Sequence, residues 1–88
     1  MAFFAVSYQL NLQKDYPTLW EEMERLDAHK VMRSFYFLDL DFKASELRDH
    51  LKGYIDNDDA IAVVPFEKRP HHHMGFKGTN DWIRERFG

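Results

Sequence analysis

The sequence predicts an α+β fold, namely a ferredoxin-like β-α-β(β)-α-β sandwich followed by a C-terminal tail and a short helix. Three stretches are rich in alternating apolar, β-branched and aromatic residues, as strands are. Two stretches between them repeat apolar residues at helical spacing. Because strands and helices alternate, both helices are expected on one face of the sheet. Right-handed crossovers then make the first and last strands neighbours in its centre.

The first part of the chain predicts a strand and a helix. Residues Ala2–Leu10 alternate between two faces, which favours a central strand. In the loop that follows, Asp15 can cap the helix and Pro17 fits its first turn. The apolar face of the helix is formed by Tyr16, Leu19, Trp20, Met23 and Leu26, and the remaining positions are taken by Glu21, Glu22, Glu24 and Arg25.

The middle of the chain predicts β structure and a second helix. Residues 30–42 form either one long strand or two short strands bent near Arg33–Ser34. The second helix is predicted over Ala44–Tyr54, and Gly53 lies near its end.

The last part of the chain predicts a strand and an appended tail. Ala60–Phe66 is apolar, and Pro65 indicates an edge strand or a strand terminus. We expect a ferredoxin-like domain at residues 1–66. Residues 67–88 are expected to form a tail with a short helix at Asp81–Phe87, which covers a sheet edge or contacts a dimer partner.

Composition narrows the class of protein. With 88 residues there is room for one small core, and the 16% aromatic content exceeds what such a monomer is expected to bury, which favours a homodimer. The absence of cysteine excludes disulfides, thiolate zinc sites and a cysteine nucleophile, so a cytoplasmic location is expected. No apolar run is long enough to span a membrane, and the start of the chain resembles a strand more than a signal peptide.

Charge is distributed unevenly between the two segments. Residues 1–66 contain seven Lys or Arg against twelve Asp or Glu, whereas residues 67–88 contain five against three. The acidic balance argues against a dedicated duplex-binding protein, and the tail is the segment expected to contact nucleic acid or a partner. The expected contact residues are Lys68, Arg69, His71, His73, Lys77, Arg84 and Arg86. In the simpler alternative, Phe76 and Trp82 pack the tail onto the sheet and these cations are solvated.

Two further clusters have structural explanations. In an extended chain only His71 and His73 of the triplet 71–73 could share an ion, so we expect a solvated loop and no metal site. The acidic run at residues 56–59 lacks the glycine and distal glutamate of an EF-hand loop, and a turn is expected there.

Several short motifs resemble a known family. The end of the first strand at residues 7–10 (SYQL), the run 33–38 (RSFYFL), and the segment 46–52 (ELRDHLK) before Asp58-Asp59 resemble the small CRISPR-associated adaptation protein superfamily, which is related to VapD. The chain is more similar to the SinR-family-like branch of that superfamily. Members of this branch tend to end in a short Trp-containing helix, as residues 80–87 (NDWIRERF) do.

The resemblance spans nearly the whole chain and implies a ferredoxin-like fold, a symmetric homodimer with apposed sheets, and work on nucleic acid. Some members are described as metal-dependent nucleases, in which an Asp at the end of the first strand would hold Mg²⁺. In this chain the expected Tyr-Asp is Tyr8-Gln9, and a neutral amide is a poor Mg²⁺ ligand. We therefore expect a degenerate family site at Tyr8 and Gln9, no catalytic residue and no cofactor.

These observations predict a dimeric, catalytically degenerate binding protein that acts on DNA, RNA or a nucleoprotein complex. The resemblance implies a mobile-element or phage-defence context, in which an inhibitor would suit a small acidic protein. One alternative is a Mg²⁺-dependent endoribonuclease or endonuclease built on Asp15 with Asp39 or Asp41. The other alternative is a protein–protein interaction module.

Overall fold

The computed structural model describes residues 2–10 and 17–88, and the predicted α+β fold is confirmed. Its elements are β1 (Ala2–Gln9), α1 (Pro17–Arg25), β2 (His29–Met32), β3 (Phe35–Leu40), α2 (Ala44–Lys52), β4 (Ala60–Phe66) and α3 (Thr79–Phe87). The predicted loop with the cap Asp15 lies outside the described residues.

The four strands form one antiparallel sheet in the order β2-β3-β1-β4, which is compatible with a ferredoxin-like sandwich. The first and last strands are neighbours as predicted, but the prediction that both lie in the centre is wrong. The two central strands are β1 and β3. β3 pairs with β1 on one side and with its hairpin partner β2 on the other, and β4 pairs only with β1 and therefore lies at the edge. The position of Pro65 in an edge strand agrees with its missing N–H group.

The β-rich stretch at residues 30–42 forms two strands and not one. A two-residue turn at Arg33–Ser34 separates β2 from β3, and Ser34 has a φ of 59°. Left-handed φ values are uncommon for residues other than glycine, asparagine and aspartate, so the sequence carries no strong signal for this turn.

The first face of the sheet is covered by α1 and α2. The buried residues of this core are Phe4, Val6, Tyr8, Leu19, Met23, Leu26, Tyr36, Leu38, Leu47 and Leu51. They come from alternate positions of β1 and β3 and from the apolar faces of both helices, as the periodicity predicts. Trp20 differs from the prediction because 40% of its surface stays exposed.

One charged residue, Glu22, is also buried between these helices. Its carboxylate accepts hydrogen bonds from Arg25 Nε at 2.7 Å and from His50 Nε2 at 2.5 Å. These bonds, first that from Arg25 and then that from His50, lower the pKa of Glu22 from 4.5 to about 2. Glu22 therefore links α1 to α2 through His50.

We expect this link to make stability depend on pH in the acid range. A carboxylate with a lowered folded-state pKa stabilises fully above its unfolded value of 4.5, and the contribution is lost as the pH falls towards 2. At pH 7, Glu22→Gln should lower the free energy of unfolding by about 1–2 kcal/mol, a modest value because Arg25 is largely solvated.

Urea unfolding monitored by circular dichroism between pH 7 and pH 2 measures this effect. The Glu22→Gln protein should lose less stability than the wild type across the acid range. Glu21→Gln on the exposed neighbouring position is the matched control and should follow the wild type. Parallel pH profiles for all three proteins would contradict the role of Glu22.

The second face of the sheet is covered by the C-terminal segment of the same chain. Trp82 and Ile83 of α3 are buried there, with Val31 and Phe37 of the sheet. The rings of Phe3 and Phe87 lie 4.8 Å apart, and those of Phe37 and Trp82 lie 5.1 Å apart. Much of the aromatic surface that favoured a homodimer from the sequence is therefore buried within one chain.

The tail crosses this face and reaches the β2 edge of the sheet. The backbone N–H of Phe76 donates to the carbonyl of Val31 at 2.7 Å. The Thr79 hydroxyl donates to the carbonyl of Phe76 at 2.7 Å, and His29 Nε2 lies 2.7 Å from the Thr79 oxygen. These contacts fasten the start of α3 to β2.

No helix in the described ranges 2–10 and 17–88 is long and apolar enough to cross a membrane.

Candidate functional site

A pocket of about 460 Å³ opens where β1 ends, at Tyr8 and Gln9. We call it the β1-end pocket. It is lined by Ser7, Tyr8, Gln9, Arg33, Ser34, Ala60, Ile61 and Ala62.

Strand pairing assembles this pocket from three separate parts of the sequence. In the β1–β4 register Gln9 lies opposite Ala60. The N–H of Tyr8 donates to the carbonyl of Ser34 at 3.1 Å, which places the Arg33–Ser34 turn beside the end of β1. The pocket therefore lies on the sheet end shared by β1, the β2–β3 turn and the start of β4.

The charge of the pocket comes from Arg33, which is exposed. Among its lining residues, all of which are described, there is no carboxylate. Gln9 and Ser7 are exposed and add neutral hydrogen-bonding groups. A guanidinium with neutral donors suits a phosphate group, whereas Mg²⁺ requires charged oxygen ligands.

Tyr8 contributes little reactive chemistry to this pocket. Its ring is buried in the helix-facing core, and its hydroxyl oxygen accepts a hydrogen bond from Trp20 Nε1 at 3.1 Å. Tyr36 stacks on it with ring centroids 6.2 Å apart, and burial, followed by the proximity of Tyr8, raises the pKa of Tyr36. The hydroxyl of Tyr36 stays protonated near neutral pH and does not act as a base.

The carboxylates considered for a nuclease are not brought together in the described part of the chain. Asp39 Oδ2 accepts a hydrogen bond from Arg86 Nε at 2.9 Å on the second face of the sheet. Asp41 is exposed after the end of β3. Asp15 lies outside the described residues.

The acidic run after α2 does form a cluster. Carboxylate oxygens of Asp56, Asp58 and Asp59 lie within 4.8 Å of one another. The N–H of Asp56 donates to Asp59 Oδ2 at 2.9 Å, and the N–H of Asp59 donates to the carbonyl of Asp56 at 3.1 Å. These bonds are those of a tight turn stabilised by aspartate side chains.

The arginines of the expected contact set already have partners in the tail. Arg69 donates to the carbonyl of Gly88 at 2.6 Å, and Arg84 pairs with Asp81. Arg86 binds Asp39 and stacks over the ring of Trp82, with its guanidinium carbon 4.3 Å from the ring centroid. These three side chains stabilise the position of α3, and Arg86 is only 20% exposed.

The other members of the set are exposed. Lys68, Lys77, His71 and His73 lie on the surface and form no ion pair with any described residue. They do not converge with the arginines on one described pocket. Trp82 is buried against the sheet, whereas Phe76 is 49% exposed.

Two polar groups of structural importance carry weak sequence signals. Glu22 lies three residues after Leu19 and one before Met23, so its helical position on the apolar face could have been recognised. The contact between His29 and Thr79 joins distant segments and has no local signal.

No protein-family model matches this sequence. The fold and the pocket define the chain as a small α+β protein with a cationic pocket at the end of its first strand, in which none of the described lining residues is a carboxylate.

Proposed function

We propose that this protein is a catalytically degenerate, homodimeric binding protein that holds nucleic acid by its phosphates. The observation that carries the proposal is the β1-end pocket, where Arg33 stands beside neutral groups and the described lining contains no carboxylate. The resemblance to the CRISPR-associated adaptation protein superfamily supplies the context of mobile elements or phage defence. In that context, a protein that occupies nucleic acid without cleaving it would inhibit a system that acts on the same nucleic acid. The protein would act in the cytoplasm.

The pocket favours binding over metal-dependent cleavage. Two-metal and one-metal nucleases require carboxylates next to the scissile phosphate. Gln9 supplies none at the end of β1, and Asp39, which lies opposite Phe3 near the start of β1, is paired with Arg86. Arg33 can instead donate two parallel hydrogen bonds to a phosphate, which contributes affinity without chemistry.

The dimer is proposed to form through the free edge of β4. The backbone N–H and C=O groups of successive strand residues point to alternate sides of the strand. Since the N–H of Tyr8 points to β3, the odd-numbered residues of β1 bond to β4, and their partners there are the even-numbered residues. The outward groups then belong to Ile61, Val63 and Pro65. Pro65 therefore removes no bond within the sheet, and it offers a partner strand its carbonyl but no N–H. The other edge, at β2, already accepts the hydrogen bond from Phe76.

Charge at the two ends of β4 favours an antiparallel pairing of two copies. Acidic residues 56–59 precede the strand, and Lys68 and Arg69 follow it. Antiparallel pairing centred on Val63 places Asp58 of each copy opposite Lys68 of the other, whereas Asp59 then lies opposite Glu67. Val64, which is 54% exposed, adds apolar surface along the same edge.

We expect size-exclusion chromatography with light scattering to give a dimer at micromolar concentrations. Lys68→Glu with Arg69→Glu should shift the equilibrium towards monomer, since like charges would then face each other. Adding Asp58→Lys and Asp59→Lys to this variant should restore the dimer. A wild-type monomer at every concentration tested would overturn the dimeric part of the proposal.

We expect Arg33→Ala to weaken binding of single-stranded and duplex RNA and DNA by about tenfold, as for the loss of one charge-assisted hydrogen bond. The slope of log affinity against log salt should fall by about 1. Fluorescence anisotropy from low to physiological salt measures both quantities. Arg84→Ala is the control, because that arginine is exposed and paired with Asp81 away from the pocket.

Three other outcomes would indicate a different function or a different binding site. No binding at low salt, together with salt-insensitive capture of a protein partner, would indicate an interaction module. Mg²⁺-dependent cleavage that is lost in Asp15→Ala but retained in Gln9→Ala would indicate a nuclease. Equal losses in Arg33→Ala and Arg84→Ala would exclude the β1-end pocket as the binding site.

A further inference from the structure

A cavity of about 390 Å³ lies between the second face of the sheet and the tail; it is next to the β1-end pocket but shares no lining residue with it. Its floor is formed by Ala5, Phe35, Phe37, Val64 and Phe66. Its wall is the segment Pro70–His73. The cavity is open to solvent on one side, so a small molecule can enter it and contact the apolar floor.

The wall is fastened on both sides of the cavity. Arg69 donates to the carbonyl of Gly88 before the wall, and Phe76 N–H donates to Val31 after it. Within the wall, His72 Nδ1 accepts the N–H of Gly75 at 3.1 Å. His72 Nε2 lies 2.8 Å from Asn80 Oδ1, to which it donates. These bonds hold the wall away from the floor, so the cavity is preformed.

Gly75 is required for this arrangement. A Cβ atom at that position would lie 2.6 Å from His72 Nδ1, closer than real Cβ contacts allow. The fixed orientation of His72 thus depends on a residue without a side chain.

The lining combines aromatic carbon with a few imidazole nitrogens. The ring centroids of Phe35 and Phe37 lie 5.6 Å apart, and those of Phe37 and Phe66 lie 5.5 Å apart. Both nitrogens of His72 are used within the chain. The exposed His71 and His73 are the polar groups that remain for a ligand, and no acidic residue lines the cavity.

We propose that this cavity binds a small planar aromatic carboxylic acid. The ring lies against the phenylalanine floor, and the carboxylate accepts hydrogen bonds from His71 and His73 at the mouth. The volume is near the lower end of the roughly 300–1,000 Å³ of small-molecule sites, which suits one or two fused rings and excludes a helix or a strand. Metal binding is not favoured, because no group of ligand atoms found in the described residues includes these histidines.

The test is an NMR titration of the ¹⁵N-labelled full chain with 2-naphthoate, compared with the neutral alcohol 2-naphthalenemethanol. We expect shifts at Phe37, Val64 and His71–His73, and nuclear Overhauser contacts between naphthoate and the phenylalanine rings. The carboxylate should bind more tightly than the alcohol by about tenfold, as for one charge-assisted hydrogen bond.

Variants separate the cavity from nonspecific apolar binding. Val64→Phe adds a ring at a half-exposed position of the floor and should abolish the titration, whereas Ser45→Phe places the same ring on the exposed side of α2, outside both pockets, and should not. His71→Ala with His73→Ala should remove the preference for the carboxylate. Absence of contacts to the floor, or equal binding by the Val64→Phe protein, would overturn the proposal irrespective of any result with nucleic acid.

Discussion

Replacing Trp82 with alanine is expected to lower the free energy of unfolding by about 3–5 kcal/mol, as for other large-to-small changes in a core. The indole is only 6% exposed and packs on Phe37 and Phe3 of the sheet. It also supports the guanidinium of Arg86, which binds Asp39. A loss of this size is a large fraction of the roughly 5–15 kcal/mol that stabilises a typical domain.

Urea unfolding monitored by circular dichroism measures the effect of this change. Phe76→Ala is the matched control, because it also removes an aromatic ring from the tail but from a half-exposed position. The control should lose less than about 1.5 kcal/mol. Equal losses in the two variants would show that the second face does not depend on the buried indole.

Replacing Thr79 with valine is expected to cost about 2–4 kcal/mol, because the change keeps the shape and removes two hydrogen bonds. Thr79 is 1% exposed, so water cannot replace its hydroxyl. Burial, and after it the nearby Arg86, lowers the pKa of His29. The neutral ring donates through Nε2 to the Thr79 oxygen, and the variant leaves this donor without its acceptor. The carbonyl of Phe76 loses the hydroxyl bond and keeps only the backbone N–H of residue 79, at 3.1 Å.

Thr79→Ser is the control for this change, since serine retains the hydroxyl and loses only a methyl group. It should cost about 1 kcal/mol. Hydrogen exchange should also show faster exchange at the Phe76 N–H in the valine variant than in the serine variant. If serine destabilises as much as valine, the methyl group and not the hydroxyl is responsible.

The elements of the fold could be predicted where the pattern is local. Alternation identified β1 and β4, and helical spacing identified α1 and α2. The split of residues 30–42 could not be decided, because the turn uses Arg33–Ser34 and not a glycine or asparagine pair. The central place of β3 depends on pairing between distant strands, which residue pattern does not encode.

The surface beneath the tail was predicted in part, because the alternative in which Trp82 packs the tail onto the sheet agrees with its burial there, whereas Phe76 is half-exposed. The spacing of Trp82, Ile83 and Phe87 shows that α3 has an apolar side, but spacing does not identify the surface on which that side packs. In the structure this surface is the second face of the sheet, reached from the β2 edge.

The candidate site was only partly visible in the sequence. Gln9 could be found because it stands at the end of the first strand. The proximity of Arg33 to Gln9 could not, because it results from the pairing of β1 with β3 and from a left-handed residue at Ser34. The arginines of the tail were interpreted from charge alone, and charge does not reveal that Arg86 has a partner in Asp39.

The central place of β1 has a consequence for the order of folding. The β2–β3 hairpin joins neighbouring segments and can form within about 1–10 μs. β1 pairs with β4, so that Phe3 lies opposite Phe66, and this pairing must close a loop over most of the chain. We therefore expect the hairpin to form early and the closure of β4 on β1 to determine the folding rate.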